Sequence, residues 1–264
     1  MRRRAGASVA LVPTMGSLHA GHAALIDQAR KTADFVIVSV FVNPTQFAPG
    51  EDYERYPRTL EPDRALAGEH GADAVFAPVP AEVYPHGTAG ATAVAVPGLS
   101  EILCGASRPG HFRGVTSVVA RLFNIAEPDV ALFGEKDYQQ LVVIRRMAEE
   151  LFFPTRVVGV PTVRETDGLA LSSRNQYLTA VERTRAPALR RALESAAAER
   201  ARGADPAAVG RAGMDALATA GFRPEYFEVR RAADLGPPEA GASEVILAAG
   251  WLGKARLIDN IRLD

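Results

Sequence analysis

The sequence has 264 residues, of which 47% are hydrophobic and 23% are charged, and its formal net charge at pH 7 is −1. These values are typical of a water-soluble globular chain that is long enough for one large domain or two unequal ones. The nearly neutral charge gives no electrostatic reason to bind nucleic acid or an anionic membrane. A single cysteine, Cys104, excludes an intrachain disulfide and a thiolate metal cluster.

Targeting and membrane segments are not expected. The longest apolar runs, residues 36–38 and 40–42, are far too short to cross a bilayer. Residues 9–12 are too few for the apolar region of a signal peptide. Arg2, Arg3 and Arg4 are expected to form a solvated basic terminus. We therefore expect a cytoplasmic protein without a membrane partner.

Residues 9–26 contain the most informative pattern of the chain. Residues 9–12 (V-A-L-V) predict a short buried strand, which Pro13 is expected to stop. A tight connection follows, and the apolar residues after His22 recur at helical spacing. His19 and His22 therefore lie in the first turn of a predicted helix.

This helix start predicts a phosphate site. The unpaired amides of a helix N-terminus attract anions, and residues three apart share a face. His19 and His22 are therefore expected to point at the same bound group, and Gly21 lets that group approach the backbone. The alternative is a histidine pair that is solvated or hydrogen-bonded for structural reasons.

Polar residues follow the next predicted strand. Residues 34–42 are almost all β-branched or aromatic, as expected of a parallel strand buried on both faces. Ligands of open α/β sheets bind beyond the carboxyl ends of the strands, so Asn43 and Gln46 are candidate ligand contacts. An ordinary polar loop is the alternative. Residues 50–59 predict an irregular flap, which is followed by a helix over 60–70 and a strand over 74–77.

The middle of the chain adds a basic loop and a further strand. Residues 78–97 are rich in Pro and Gly and predict a long excursion with weak β character. Residues 108–114 predict a loop that carries Arg108, His111 and Arg113, which suits an anionic substrate; exposed solubilising arginines are the alternative. A helix over 115–125 and a strand over 129–133 follow.

Charged and amide side chains come after the strand over 129–133. Lys136 is suited to neutralise phosphate charge, Asp137 to accept from ribose hydroxyls, and Gln140 to bind a carboxylate or hydroxyl. A salt-bridged helix start is the alternative. After a strand over 155–160, Ser172, Ser173 and Arg174 predict a phosphate clamp, although serines also cap helices.

The C-terminal part has a different pattern. Helices are predicted over 180–202 and 206–220, and strands over 226–230, 244–248 and 255–261. Strands alternating with helices predict a Rossmann-like parallel sheet with flanking helices, and the later pattern predicts a smaller α+β domain. We place the catalytic domain at residues 1–170 and a lid domain at 171–264.

Taken together, the motifs closely resemble the pantoate–β-alanine ligase (pantothenate synthetase) family over nearly the whole chain. The matching blocks are L-V-P-T-M-G-S-L-H-A-G-H, F-V-N-P-T-Q-F, Y-P-R-T, H-F-R-G-V, F-G-E-K-D-Y-Q-Q-L, G-V-P-T-V-R-E-T-D-G-L-A-L-S-S-R-N and D-N-I. H-A-G-H resembles the HIGH motif of nucleotidyltransferases and class I aminoacyl-tRNA synthetases, and L-S-S-R stands where those synthetases carry KMSKS.

The resemblance implies an ATP- and Mg²⁺-dependent reaction. The pantoate carboxylate attacks the α-phosphate of ATP to give pantoyl-adenylate and pyrophosphate, and the amine of β-alanine then displaces AMP to form pantothenate. It also implies a homodimer whose partners are these small molecules and not nucleic acid.

The resemblance assigns roles to individual residues. His22, with His19, donates to the α-phosphate, while Lys136 and Arg174 hold the other phosphates with Ser172 and Ser173. Pantoate is held by Gln46 and Gln140, and Gln46 also lies near β-alanine. The implied ATP contacts are Met15, Gly16, Ser17, Leu18, His19, Ala20, Gly21, His22, Gly134, Glu135, Lys136, Asp137, Val163, Leu171, Ser172, Ser173 and Arg174.

The chain departs from the family pattern at two places. Relatives usually have an additional strand and helix before V-P-T-M-G, so we expect an exposed sheet edge or a misassigned start. Leu171 replaces a methionine before S-S-R, a change that keeps the site apolar. No Asp, His or Cys set has metal-ligand spacing, so Mg²⁺ is expected on the ATP phosphates, with Asp63 as a remote candidate for assisting it.

Two other functions are compatible with parts of the pattern. A different adenylyl- or cytidylyltransferase would use the same phosphate cradle, but Gln46 and Gln140 favour a polyol-carboxylate substrate. An inactive nucleotide-binding or RNA-associated module is disfavoured by the neutral charge and the full set of donors.

Overall fold

The computed structural model describes residues 6–48 and 50–263. Arg2, Arg3 and Arg4, the predicted basic terminus, lie outside these residues. The chain forms two compact units: unit 1 is Met1–Glu135 with Val143–Pro161, and unit 2 is Lys136–Val142 with Thr162–Asp264. The domain boundary between residues 170 and 171 stays a prediction.

The elements of the described residues alternate first and then segregate, as the sequence predicts. The strands are β1 (Val9–Thr14), β2 (Phe35–Val40), β3 (Ala74–Phe76), β4 (Val130–Gly134), β5 (Arg156–Val160), β6 (Arg223–Arg231), β7 (Glu244–Leu252) and β8 (Ala255–Leu263). The helices are α1 (Ala20–Thr32), α2 (Leu60–Glu69), α3 (Pro80–Val83), α4 (Cys104–Ser107), α5 (His111–Ala126), α6 (Tyr138–Glu150), α7 (Ala180–Arg185), α8 (Ala188–Ala201) and α9 (Pro206–Thr219). Short 3₁₀ helices span Pro44–Gln46, Glu135–Asp137 and Ser173–Tyr177.

Unit 1 is built on a parallel five-stranded sheet of order β3-β2-β1-β4-β5. Alternate residues of β1, β2 and β4 share one face, and those side chains form a buried apolar core with α1 and α2. Helix α5 contacts β1 as well. The predicted Rossmann-like sheet is confirmed, and β1 is its central strand.

Pro13 does not end β1, although the sequence predicts that it does. The pairing with β2 runs from Val9 to Thr14, whereas the pairing with β4 covers only Ala10 and Leu11. The carbonyl of Val9 accepts from Asp129 on the β4 side, and bonding directions alternate along a strand. The missing N–H of Pro13 therefore faces β4. Pro13 ends the ladder with β4 but not the ladder with β2.

Three local predictions are wrong. Residues 78–97 contain α3 and no strand among the residues described, and α5 begins at His111 inside the predicted basic loop. The helix predicted over 180–202 is divided into α7 and α8, because Pro187 has no N–H for the helical ladder.

Unit 2 has an antiparallel sheet of order β6-β7-β8, which confirms the α+β pattern. Helices α8 and α9 pack against this sheet and bury an apolar cluster that includes Leu193, Leu217, Phe227 and Ile246. In the part of the chain that the structure describes, no helix is long and apolar enough to cross a membrane.

The core of unit 2 offers a matched stability test. Val209 in α9 is 3% exposed and Val181 in α7 is 60% exposed. Val209→Ala removes two buried methyl groups and should lower the free energy of unfolding by about 2 kcal/mol, while Val181→Ala should change it little. Thermal unfolding followed by circular dichroism measures both, and equal shifts would contradict this packing.

Candidate active site

The loop between β1 and α1 is held in an unusual backbone conformation. Gly16 and Ser17 have φ of +86° and +52°, in the left-handed region. The amides of Ser17 and Leu18 donate to the two carboxylate oxygens of Asp63, at 3.0 and 2.7 Å. A Cβ on Gly16 would lie 2.9 Å from the same carboxylate, so the loop requires glycine there.

Asp63 is buried in the first turn of α2. Its side chain also accepts from the Thr59 hydroxyl, at 3.3 Å to each oxygen. Since both oxygens accept hydrogen bonds from protein groups, the carboxylate serves to fix the loop rather than to present open ligand sites for Mg²⁺. Sequence reasoning missed this role because nothing near Asp63 in the sequence points to residues 17 and 18.

The two histidines form a reciprocal cap at the start of α1. The Nδ1 atom of His19 accepts from the Gly21 amide at 3.1 Å, and Nδ1 of His22 accepts from the His19 amide at 3.3 Å. This arrangement is a capping box in which imidazoles replace the usual Ser and Glu. The ring centroids are 4.2 Å apart.

The cap fixes the tautomer of both rings. A ring nitrogen that accepts from an amide carries no proton, so each neutral imidazole holds its proton on Nε2. The prediction of unpaired amides at this helix start is wrong for His19, Gly21 and His22, whose N–H groups all donate within the motif. The motif therefore presents side-chain N–H donors, and these suit phosphoryl oxygens.

Gln46 lies in the 3₁₀ helix after β2 and is buried. Its Nε2 atom donates to the sulfur of Met15 at 2.9 Å, and its Oε1 atom accepts from Asn43 Nδ2 at 3.1 Å. The structure therefore brings the predicted pantoate ligand next to the β1–α1 loop. Asn43, the other candidate contact after β2, serves here to orient the Gln46 amide.

Asn43 is itself oriented by Tyr84, which the sequence did not reveal. The Tyr84 hydroxyl donates to Asn43 Oδ1 at 2.7 Å. Burial raises the pKa of Tyr84 above its usual value, against the opposing effects of Thr45, Arg121 and Asn43. The phenol thus remains a donor at neutral pH. Asn43 Nδ2 also donates to the carbonyl of Gly114 in α5, at 3.1 Å.

Arg108 of the predicted basic loop is paired with Glu51 and His111 and is not an exposed solubilising arginine. Its guanidinium donates twice to Glu51 at 2.7 Å, and Nη1 lies 3.0 Å from His111 Nε2. Burial opposes ionisation of Glu51, but the hydrogen bonds and charge of Arg108 prevail and lower the pKa of that carboxyl. Both members of the pair are therefore charged at neutral pH.

In unit 2, Lys136 and Asp137 lie in the 3₁₀ helix before α6, and Gln140 lies in the first turn of α6. The Lys136 ammonium is 3.6 Å from the Asp137 carboxylate. The Lys136 carbonyl accepts from Asn260 Nδ2 at 3.0 Å. The terminal D-N-I motif therefore anchors the backbone that carries Lys136, a role that the sequence did not reveal.

Val163 and Leu171 are paired across a tight hairpin. The Leu171 amide donates to the Val163 carbonyl at 3.0 Å, and Gly168 at the turn has φ of +88°. Arg164 in the same hairpin makes a two-point ion pair with the buried Asp259, at 2.6 and 2.9 Å. Asp259 of the D-N-I motif thus fixes this hairpin.

The serines after the hairpin form a cap. The Ser172 hydroxyl accepts from the Arg174 amide at 3.2 Å at the start of the 3₁₀ helix Ser173–Tyr177. Ser172 therefore caps this 3₁₀ helix, as the alternative to a phosphate clamp predicts. Its hydroxyl proton can still be donated, so capping does not exclude a phosphate contact.

A family model described as pantoate-beta-alanine ligase matches residues 1–262. The pantothenate synthetase of Shewanella amazonensis is 56% identical over 98% of this chain and 92% of its own length. That of Chromohalobacter salexigens is 56% identical over 99% and 93%. The similarity to these proteins therefore covers nearly the whole chain and is not limited to the motifs.

Solved structures give the same result. The crystal structure of pantothenate synthetase from Thermus thermophilus has a TM-score of 0.89 and 53% identity, and the alignment covers 96% of this chain and 92% of that one. The Francisella tularensis pantoate-beta-alanine ligase, complexed with beta-gamma ATP and beta-alanine, has a TM-score of 0.83 and 33% identity, over 99% and 92%. The chain therefore belongs to the pantoate–β-alanine ligase family.

Proposed function

We propose that this ligase condenses pantoate with β-alanine in two steps driven by ATP. A pantoate carboxylate oxygen attacks the α-phosphorus, and the bond to the β-phosphate breaks to release pyrophosphate. The amine of β-alanine then attacks the acyl carbon of pantoyl-adenylate, loses a proton, and AMP leaves as the amide forms. The observation that carries this proposal is the pair of Nε2–H imidazoles in a chain that matches the family throughout.

In the first step, negative charge develops on the phosphoryl oxygens as the α-phosphorus becomes five-coordinate. Preorganised donors at those oxygens lower the barrier, because they need no reorientation during the reaction. His22 supplies one such donor and His19 a second. Further proposed ATP contacts in unit 1 are the loop of Met15, Gly16, Ser17 and Leu18 and the turn of Ala20 and Gly21.

Residues of unit 2 have proposed roles of their own. Lys136 and Arg174 hold the β- and γ-phosphates and the pyrophosphate, aided by Ser172 and Ser173. The remaining proposed nucleoside contacts are Gly134 and Glu135 of unit 1 and Asp137, Val163 and Leu171 of unit 2. Asn260 contacts the segment of Lys136 and Asp137, and Asp259 contacts the hairpin of Val163 and Leu171 through Arg164.

Gln46 and Gln140 are the proposed pantoate ligands, and Gln46 also meets β-alanine. A carboxamide both donates and accepts, so it suits a substrate that carries hydroxyls and a carboxylate. The hydrogen bond from Asn43 leaves the Gln46 amide with its nitrogen as the donor toward Met15. A substrate oxygen that replaces the sulfur would be a better acceptor for this N–H.

Mg²⁺ is proposed to enter with ATP as part of the substrate. Among the residues described, no group of three or more His, Cys, Asp and Glu side chains could hold a metal ion. Mg²⁺ commonly keeps several waters and binds through substrate phosphates. An ion held by the triphosphate and its waters needs no such group of side chains. A cytoplasmic homodimer, as the resemblance implies, completes the proposal.

Omission of each substrate in turn tests the function. ATP with pantoate should release pyrophosphate without β-alanine, whereas formation of AMP and pantothenate should require all three. Chromatography of the products and a coupled pyrophosphate assay measure this. Pyrophosphate release that does not depend on pantoate would contradict the proposal.

Two substitutions separate capping from catalysis at His22. His22→Ala removes both, whereas the Oδ1 atom of His22→Asn can take the place of Nδ1 and accept from the His19 amide, with no donor at the place of Nε2. Both variants should lose the ring donor and at least about a hundredfold in the rate of pyrophosphate release, or about 3 kcal/mol. His22→Asn should unfold at nearly the wild-type temperature. Near-normal turnover by either variant would exclude the proposed role.

Asp63→Asn tests the loop clamp. The amide would turn a donor toward the Ser17 or Leu18 N–H, at a cost of about 1–3 kcal/mol. We expect kcat/KM for ATP to fall about tenfold or more, measured by initial rates. The exposed Asp215→Asn is the matched control and should leave kcat/KM unchanged. If Asp63→Asn also had wild-type kinetics, the clamp would not matter for catalysis.

A further inference from the structure

The main chain of Gln46 is held by a chain of three side chains outside its own turn. Glu51 binds the Nε and Nη2 atoms of Arg108, and Arg108 Nη1 contacts Nε2 of His111 at 3.0 Å. Nδ1 of His111 in turn lies 2.8 Å from the carbonyl oxygen of Gln46. We call Glu51, Arg108 and His111 the positioning relay.

Hydrogen-bond chemistry fixes the direction of this relay. A guanidinium has only donors, so His111 Nε2 must accept from Arg108. A neutral imidazole then carries its proton on Nδ1, and that N–H donates to the Gln46 carbonyl. Glu51 holds Arg108 in place through a two-point ion pair, in which the Arg108 side chain is 14% exposed and the Glu51 side chain 24% exposed. The donors of Arg108 that these contacts use serve protein partners, and Nη2 also lies 3.5 Å from the Gln46 carbonyl oxygen.

The turn that carries Gln46 does not fix its own position well. Within the 3₁₀ helix Pro44–Gln46, the Gln46 amide is 3.5 Å from the Asn43 carbonyl, and the Phe47 amide is 3.4 Å from that of Pro44. Both distances lie at the long limit of hydrogen bonding. External contacts must therefore set where the turn lies.

Those contacts come from α5 as well as from the side chain of Asn43. A Cβ added to Gly114 would lie 2.3 Å from the Thr45 carbonyl oxygen and 2.6 Å from the Gln46 Cα. The helix thus touches the backbone of the turn directly. His111 begins this helix and donates to the same turn, so the relay and Gly114 together constrain the backbone position of Gln46.

We propose that His111, oriented by Arg108 and Glu51, is a positioning residue that holds Gln46 in the geometry for binding pantoate. This inference rests on the proposed function, because it assumes that Gln46 binds pantoate. It assigns His111 no contact with substrate. Its loss should therefore raise KM for pantoate and leave KM for ATP nearly unchanged.

Two isosteric substitutions test the hydrogen bond. The Asn Nδ2 atom in His111→Asn can take the place of the ring Nδ1 and donate to Gln46, whereas the amide of His111→Gln matches the ring Nε2. We expect KM for pantoate to rise at least tenfold in His111→Gln and less than threefold in His111→Asn. KM for ATP should change less than twofold in both.

Glu51→Gln covers the case in which His111→Gln does not fold. The neutral amide weakens the hold on Arg108, so KM for pantoate should rise severalfold, with thermal unfolding as the control. Equal KM values for pantoate in the wild type, His111→Gln and Glu51→Gln, or equal increases in His111→Asn and His111→Gln, would overturn the inference. Failure of the wild type to use pantoate at all would instead refute the proposed function.

Discussion

The first turn of α1 depends on one constraint: the ring nitrogens that cap it are part of the same imidazoles that are proposed to meet ATP. Because each Nδ1 accepts a backbone N–H, the N–H of each neutral ring is on Nε2. Serine and glutamate cap helices as well, but their oxygens would leave no ring donor. The capping box of this chain therefore sets helix geometry and tautomer in a single arrangement.

Asp63 adds a second constraint to the same loop. A buried carboxylate is costly unless it is hydrogen-bonded, and here backbone amides and a hydroxyl supply those bonds. The pairing in turn offsets the cost of the left-handed conformation of Ser17. The Ser17 backbone and the buried acid thus stabilise each other at the entry to α1.

The sequence predicted the parallel sheet and the elements near the site because β-branched runs and helical spacing are local signals. It placed Gln46 and Asn43 after β2 for the same reason. It did not predict the partners of Asp63, Arg108 and Lys136, since these lie far apart in sequence. The sequence pattern places even His111 in a loop, because no local signal shows that α5 begins there.

Pro13 limits the pairing of β1 with β4, while β1 stays paired with β2 as far as Thr14. A residue with an N–H at this position could donate to β4 and extend the pairing of β1 with β4 beyond Leu11. The added hydrogen bond would lie at the carboxyl ends of the strands, where ligands of such sheets are expected. A proline ring cannot donate whatever the conformation of the surrounding chain, so covalent structure sets where this ladder ends.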